Sequence, residues 1–110
     1  MTSRDKAKGE IAIGKLIESN GEEARNRLEL MSLDLMDRDS VKKLAFDLQD
    51  RYKGVDCIFQ NAGIFEKVKK TDEAFWTQWN TNFLNTALLS EEILKNSSLN
   101  QNGKIIYLSS

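Results

Sequence analysis

Apolar residues along this chain fall into alternating helical and strand-like groups. Between positions 5 and 20, Ile13, Leu16 and Ile17 recur at helical spacing ahead of Asn20 and Gly21, a pair suited to ending a helix. The pattern predicts a helix with one buried face. Positions 22–27 are polar and charged, too hydrophilic for a core element, and predict a connection or a short helical extension. Over 28–35, Leu28 and Leu30 alternate with Glu29 and Met31 before the apolar residues around Asp34, which predicts a strand. Asp37 or Asp39 can then cap a helix, because a short carboxylate accepts from the free N–H groups of a first turn, and Val41, Leu44, Ala45, Leu48 and Tyr52 form its apolar stripe. The run 55–60, bounded by Gly54 and Asn61, has the pattern of a strand buried on both faces.

Thr71 or Asp72 can cap a long helix over 71–98, carrying Phe75, Trp79, Phe83 and Ala87 at successive i+4 positions and then Ile93 and Leu94. Asn100, Asn102 and Gly103 predict a turn. It feeds a last buried strand, Lys104-Ile105-Ile106-Tyr107-Leu108, which closes on Ser109 and Ser110. Helix and strand alternate three times, the order expected of right-handed crossovers onto a parallel sheet, hence an α/β doubly wound architecture. No internal repeat, low-complexity segment or proline marks a second domain.

Composition narrows the function classes. The chain has 110 residues, 40% hydrophobic and 30% charged, with a formal net charge of −1, so no global field draws it to nucleic acid or to an anionic membrane. Lys67, Lys69 and Lys70 read as a solvated loop face. Histidine is absent, which removes histidine metal sites and histidine general bases. The single Cys57 closes no internal disulfide and, beside Val55, Ile58 and Phe59, reads as a small buried hydrophobe rather than a reactive thiol. No apolar stretch approaches the ~20 residues that span a bilayer. The N-terminus opens no secretory signal, so the expected location is cytoplasmic, with membrane association of a longer parent left open. Asn96-Ser97-Ser98 fits a glycosylation acceptor pattern that has no chemistry without secretion.

In doubly wound sheets the ligand crevice lies beyond the carboxyl ends of the strands. Asp34, Asn61-Ala62-Gly63 and Ser109-Ser110 fall there. Asp34, with Leu35 as a backbone contact, is either an acceptor for the exocyclic amine of a nucleotide base or a helix cap. Asn61-Ala62-Gly63 offers small residues where backbone can approach a ribose, though any turn uses Asn and Gly. Asn82 is either an exposed or back-bonded asparagine, or a buried amide serving a water or a catalytic group.

Order and spacing together point further. Leu33-Asp34-Leu35, Asn61-Ala62-Gly63, Phe75 with Trp79 and Asn82, and the run from Lys104 to Ser110 stand in the order and at the intervals of the short-chain dehydrogenase/reductase family, which the chain resembles over essentially its whole length. Ser110 follows Asn82 by 28 positions, as the family's serine follows its asparagine. Arg4-Asp5 with Lys8-Gly9-Glu10 resembles a stretch of the retinol-dehydrogenase-like branch.

The resemblance implies a partial Rossmann-like parallel sheet, truncated at both ends, in a single incomplete NAD(P)-binding domain over 1–110. By it, Asp34 and Leu35 bracket the adenine, and Asn61, Ala62 and Gly63 line the adenosine side. Asn82 holds the water of a proton relay, and Ser110 hydrogen-bonds the carbonyl or hydroxyl of a small-molecule substrate. Arg4 meets the adenosine ribose, where a guanidinium suits a 2′-phosphate, so NADP is favoured over NAD. The long helix is the surface through which such proteins pack against a second subunit, implying a homo-oligomer.

The departures are as pointed. The family's Thr-Gly-x-x-x-Gly-x-Gly turn is absent, with Gly9 and Gly14 inside a helix pattern, and neither Tyr52 nor Tyr107 has a lysine four residues later. Gln60 stands where the family usually has a second asparagine, and Asn85 where it often has glycine. The resulting expectation is a fragment of an NADP-dependent oxidoreductase, inactive alone; the alternative is a non-catalytic interaction module using the 71–98 helix, or a gene remnant. The family's strand order, 3-2-1-4-5, further predicts that 55–60 and 104–108 pair in parallel while 28–34 lacks a native-type partner.

Overall fold

A computed structural model of the protein describes residues 1–65 and 72–108. The expectations for Thr71, for Lys67, Lys69 and Lys70, and for Ser109 and Ser110 lie outside those residues. The chain divides into two compact units, Met1–Asp34 and Leu35–Ser110.

The first unit opens with strand β1 (Thr2–Ser3), followed by helix α1 (Lys6–Asn20), a 3-10 turn (Glu22–Arg27) and strand β2 (Met31–Ser32). Asp5 caps α1 by accepting the Lys8 N–H at 3.1 Å. Gly21, at φ 88°, ends it as the Asn20-Gly21 pair predicts. The buried face is narrower than expected: Ile17 is buried, but Leu16 is 41% exposed. Gly9 lies in the helix against Leu30 and Ser3 of β1. A Cβ there would stand 2.7 Å from Leu30 Cδ1 and 3.0 Å from Ser3 Cβ, so the close approach favours glycine. In the 3-10 turn, Arg25 Nε lies 2.5 Å from Glu22 Oε1, and the guanidinium holds the Glu22 carboxyl below its ordinary range.

β1 and β2 run parallel, with Thr2 opposite Met31 and Ser3 opposite Ser32. Met31 donates to the Met1 carbonyl at 2.9 Å and Leu33 to the Ser3 carbonyl at 3.1 Å. The segment 28–34 therefore does have a parallel partner, contrary to the expectation. The pairing covers Thr2 with Met31 and Ser3 with Ser32, so of the predicted 28–35 strand only Met31–Ser32 is regular.

The second unit contains helix α2 (Arg38–Tyr52), strand β3 (Val55–Gln60), helix α3 (Asp72–Trp79), a π-helical turn (Asn80–Leu84), helix α4 (Asn85–Lys95) and strand β4 (Leu99–Tyr107). Asp37 caps α2 through the Asp39 N–H at 2.9 Å. Val41, Leu44 and Ala45 are buried as the stripe predicts, whereas Tyr52 is exposed. β3 and β4 pair in parallel, with Cys57 opposite Lys104, Ile58 opposite Ile105 and Gln60 opposite Tyr107. β4 starts earlier than the predicted turn: Val55 already pairs with Leu99, and the intervening β4 residues, with Asn102 at φ 64°, bulge out of register. Ser98 Oγ donates to the Ala45 carbonyl at 2.6 Å and ties the start of β4 to α2.

The core of this unit includes Leu35, Val41, Leu44, Ala45, Leu89 and Ile93. β3 is not buried on both faces. Its Ile58 and Gln60 turn toward the helices, but Phe59 is 65% exposed and Cys57 is exposed, so Cys57 is not the buried hydrophobe expected. The reason is geometric: residues alternate across a strand, and within this unit α2 and α4 cover one face only. The aromatic stripe of the long helix likewise points outward, with Phe75, Trp76 and Phe83 more than half exposed, while Ala74, Thr81, Asn85, Leu89 and Ile93 face the core.

Candidate nucleotide site

In the first unit, Arg4 follows directly on β1 and is exposed. Together with Ser3, Lys6, Ser32, Met31 and Leu30 it lines a cavity of about 450 Å³, with Glu10 also in the wall. Lys6 Nζ lies 3.8 Å from Glu10 Oε1 and Ser3 Oγ donates to the Asp5 carbonyl at 2.7 Å, so the exposed Arg4 guanidinium is the group in this wall best placed to receive an anion. Asp34, half-buried, follows β2 at its carboxyl end.

In the second unit, Leu35 is buried and its carbonyl accepts a short hydrogen bond from Asn85 Nδ2. Asn85 is 3% exposed, and its Oδ1 has no hydrogen-bond partner. Asn61, Ala62 and Gly63 form an exposed segment leaving the carboxyl end of β3. The Asn82 carboxamide grips the next residue twice: Ile64 N–H donates to Asn82 Oδ1 at 2.8 Å, and Asn82 Nδ2 donates to the Ile64 carbonyl at 2.8 Å. A Cβ on Gly63 would come within 3.3 Å of Asn82 Oδ1, so this close approach favours glycine.

Asn82 can reach the segment because it sits in the π turn, where Asn85 N–H bonds the Asn80 carbonyl and the helix widens by one residue. The turn keeps Asn82 on the Ile64 side while Asn85, Thr86 and Ser90 face the core. Thr86 Oγ1 donates to the Thr81 carbonyl at 3.0 Å. The structure thus brings Asn82 to the 61–64 segment and Asn85 to Leu35. Arg4 and Asp34 belong to the other unit, and Ser110 falls outside the described residues.

The two departures from the family pattern both prove to be built into the core. Asn85 anchors Leu35, and Gln60, 8% exposed, donates to Ser90 Oγ at 3.3 Å and to the Thr86 carbonyl at 3.4 Å. Sequence reasoning noticed both as anomalies but not their partners. Their standing where the family usually has another residue was the available signal, since Gln60 lies in a run that reads as buried on both faces and Asn85 lies off the stripe of Phe75, Trp79, Phe83 and Ala87.

A family model of the short chain dehydrogenases matches residues 4–110. The chain belongs to that family. No curated protein matches it. Among solved structures, a short-chain dehydrogenase/reductase described as a glucose/ribitol dehydrogenase, from Brucella melitensis, superimposes with a TM-score of 0.78 at 20% identity, covering 99% of this chain and 44% of that one. A 3-oxoacyl-[acyl-carrier protein] reductase from the same organism gives a TM-score of 0.75 at 22% identity, covering 99% and 45%. A short chain dehydrogenase from Burkholderia cenocepacia in complex with NADP gives 0.72 at 20% identity, covering 96% and 42%. The chain spans less than half the length of these structures. The likeness shows the Rossmann-like α/β fold of short-chain dehydrogenases, with short parallel sheets. No described helix is long and apolar enough to cross a membrane.

Proposed function

We propose that this chain is the adenosine-side part of an NADP-dependent short-chain dehydrogenase/reductase of the retinol-dehydrogenase-like branch, acting on a small alcohol or carbonyl compound in the cytoplasm. The observation that carries the reading is the double hydrogen bond from Asn82 to Ile64. It holds a turn of small residues, Asn61-Ala62-Gly63, at the carboxyl end of β3 in a family fold. The cavity around Arg4 supports the 2′-phosphorylated cofactor, and the NADP complex of the Burkholderia cenocepacia relative agrees with it.

Within each unit the residues present suit part of the group: Ala62 and Gly63 are small, exposed residues that a sugar can approach, and in the other unit the exposed Arg4 guanidinium suits a phosphate monoester. When bound, the dinucleotide supplies the hydride donor or acceptor. In this reading Asp34 and the Leu35 backbone orient the adenine, with Leu35 held by Asn85. Arg4 neutralises the 2′-phosphate, Asn82 orders the segment 61–64 and a relay water, and Ser110 donates a hydrogen bond to the substrate oxygen. The 110 residues contain no Tyr-x-x-x-Lys pair to deliver the proton, so the reaction belongs to a longer protein.

A second reading rests on the outward aromatic face of α3 and the π turn. Phe75 stacks on Trp79 at 6.3 Å, and Trp79 meets Phe83 at 4.7 Å. Such an exposed apolar stripe suits pairing with a second copy, as part of the oligomeric enzyme or as a non-catalytic interaction module.

The flanking coding sequence and an assay separate the readings. The expected result is an in-frame Thr-Gly-x-x-x-Gly-x-Gly before this segment and a Tyr-x-x-x-Lys after it. The encoded protein should consume NADPH in preference to NADH with a carbonyl substrate, and R4A should reduce that preference about tenfold. Absence of both motifs and of dinucleotide binding leaves the interaction module.

A further inference from the structure

The ends of β3 and β4 are joined by side chains as well as by backbone. Leu108 N–H donates to the Gln60 carbonyl at 3.2 Å, the last rung between the two strands. Behind that rung, Ser90 of α4 gathers three partners. Its Oγ lies 3.3 Å from Gln60 Nε2, 3.3 Å from the Thr86 carbonyl and 2.5 Å from the Tyr107 hydroxyl. A serine hydroxyl has one proton and two lone pairs. With the proton on the Thr86 carbonyl, the lone pairs accept from Gln60 and Tyr107, and the hydroxyl is saturated.

The burial pattern argues that this is a device and not a by-product of packing. The Tyr107 side chain stays at the surface, with the residue 57% exposed, yet its hydroxyl is drawn to the buried Ser90, at 7%. Gln60 and Tyr107 are register partners, so one hydroxyl bridges the two strands at the rung from which both leave the sheet. The same helical run also carries Asn82, which grips Ile64. The turn Asn61-Ala62-Gly63 is therefore pinned at both ends from one helix: Gln60 by Ser90, and Ile64 by Asn82.

We propose that Ser90 is a positioning residue. Through Gln60 and Tyr107 it sets the course of the chain where it leaves the two strands, at Asn61-Ala62-Gly63 and at Leu108. The proposal rests on the reading above in taking those segments as the site. Ser90 itself touches neither cofactor nor substrate.

Amide hydrogen exchange on the 110-residue chain tests it. The informative ratio compares Leu108 N–H, bonded to Gln60 at the carboxyl end of the sheet, with Val55 N–H, bonded to the Ser98 carbonyl at 2.8 Å at the opposite end. S90A and Y107F are expected to quicken exchange at Leu108 about tenfold while leaving Val55 within about twofold, and S90T to restore the wild-type ratio. Y107F changes an exposed ring by one atom, so it carries the test if S90A fails to fold. An unchanged Leu108 rate, or equal quickening at both ends, overturns the proposal, because general loosening of the unit is what a merely structural residue produces. NADPH titration of a longer encoded protein that carries the Thr-Gly-x-x-x-Gly-x-Gly and Tyr-x-x-x-Lys segments is run alongside. Failure of that longer protein to bind counts against the cofactor reading, while the exchange ratio still decides the network by itself.

Discussion

Asn82 and Ile64 are joined by two hydrogen bonds of 2.8 Å, one in each direction, so that a helix side chain occupies both polar groups of a residue in a loop. An asparagine carboxamide presents a donor and an acceptor side by side, as a neighbouring strand would, and the loop pairs with it as if with a backbone. N82A should quicken amide exchange at Ile64 by about five- to thirtyfold, the loss of about 1–2 kcal/mol. N82D should be at least as harmful, since it replaces the donor to the Ile64 carbonyl with a second acceptor. Equal protection of Ile64 in wild type and N82D would contradict the pairing.

Asn85 offers a sharper contrast. Its Nδ2 anchors the Leu35 carbonyl from a buried position while its Oδ1 lacks a partner. N85D places a carboxylate against a carbonyl in the core, and a cost of about 3–5 kcal/mol is expected, enough to abolish folding of a marginal domain. N85G should cost only about 1–2 kcal/mol, from helix propensity and one hydrogen bond, because it also removes the unpaired acceptor. Circular dichroism and exchange at neutral pH separate the two variants; similar behaviour would show that Asn85 is not oriented as described.

The two glycines of α1 should respond oppositely. Nothing lies within 4 Å of a Cβ added at Gly14, so G14A should stabilise the helix by about 1 kcal/mol through propensity. At Gly9 the same methyl meets Leu30 Cδ1 at 2.7 Å and Ser3 Cβ at 3.0 Å, so the propensity gain is offset and G9A should be neutral to destabilising by about 1–2 kcal/mol. Exchange rates of the α1 amides report both, and an equal gain in the two variants would refute the close packing of Gly9 on Leu30 and Ser3.

Exposed aromatics should govern the behaviour of the isolated chain. Phe59 at 65%, Phe75 at 57% and Trp76 at 55% exposure leave apolar surface that water disfavours, and the strands of each short sheet have open edges. Sedimentation at rising concentration should show self-association, reduced when Trp76 and Phe75 are replaced by glutamate. A monodisperse monomer with a sharp thermal transition would be the contrary result.

The isolated 110 residues should show no steady oxidation or reduction of NADPH or NADH with retinoid, steroid or aldehyde substrates, and weak binding of NADPH at most. The 110 residues hold no Tyr-x-x-x-Lys pair and no Thr-Gly-x-x-x-Gly-x-Gly turn to receive a pyrophosphate. Sustained NADPH consumption by purified chain would reverse this conclusion.

Much of this protein was legible before any coordinates. The cap at Asp37, the stop at Gly21 and the stripe of Val41, Leu44 and Ala45 follow from interactions a few residues long, which the local sequence states in full. The alternation of helix and strand set the α/β class, and the spacing of Asn61-Ala62-Gly63, Asn82 and Ser110 indicated the family. Tertiary structure decided what depends on distant neighbours. Cys57 and Phe59 sit in a run that reads as a buried strand, yet they are exposed because burial depends on which layers cover a sheet face. The partner of 28–34 is Thr2–Ser3, a pairing of too few residues to carry a pattern. Asn82 on Ile64, Asn85 on Leu35 and Ser90 between Gln60 and Tyr107 join residues 17 to 50 positions apart. A polar side chain in a helix declares that it needs a partner; only the folded chain determines which one it meets.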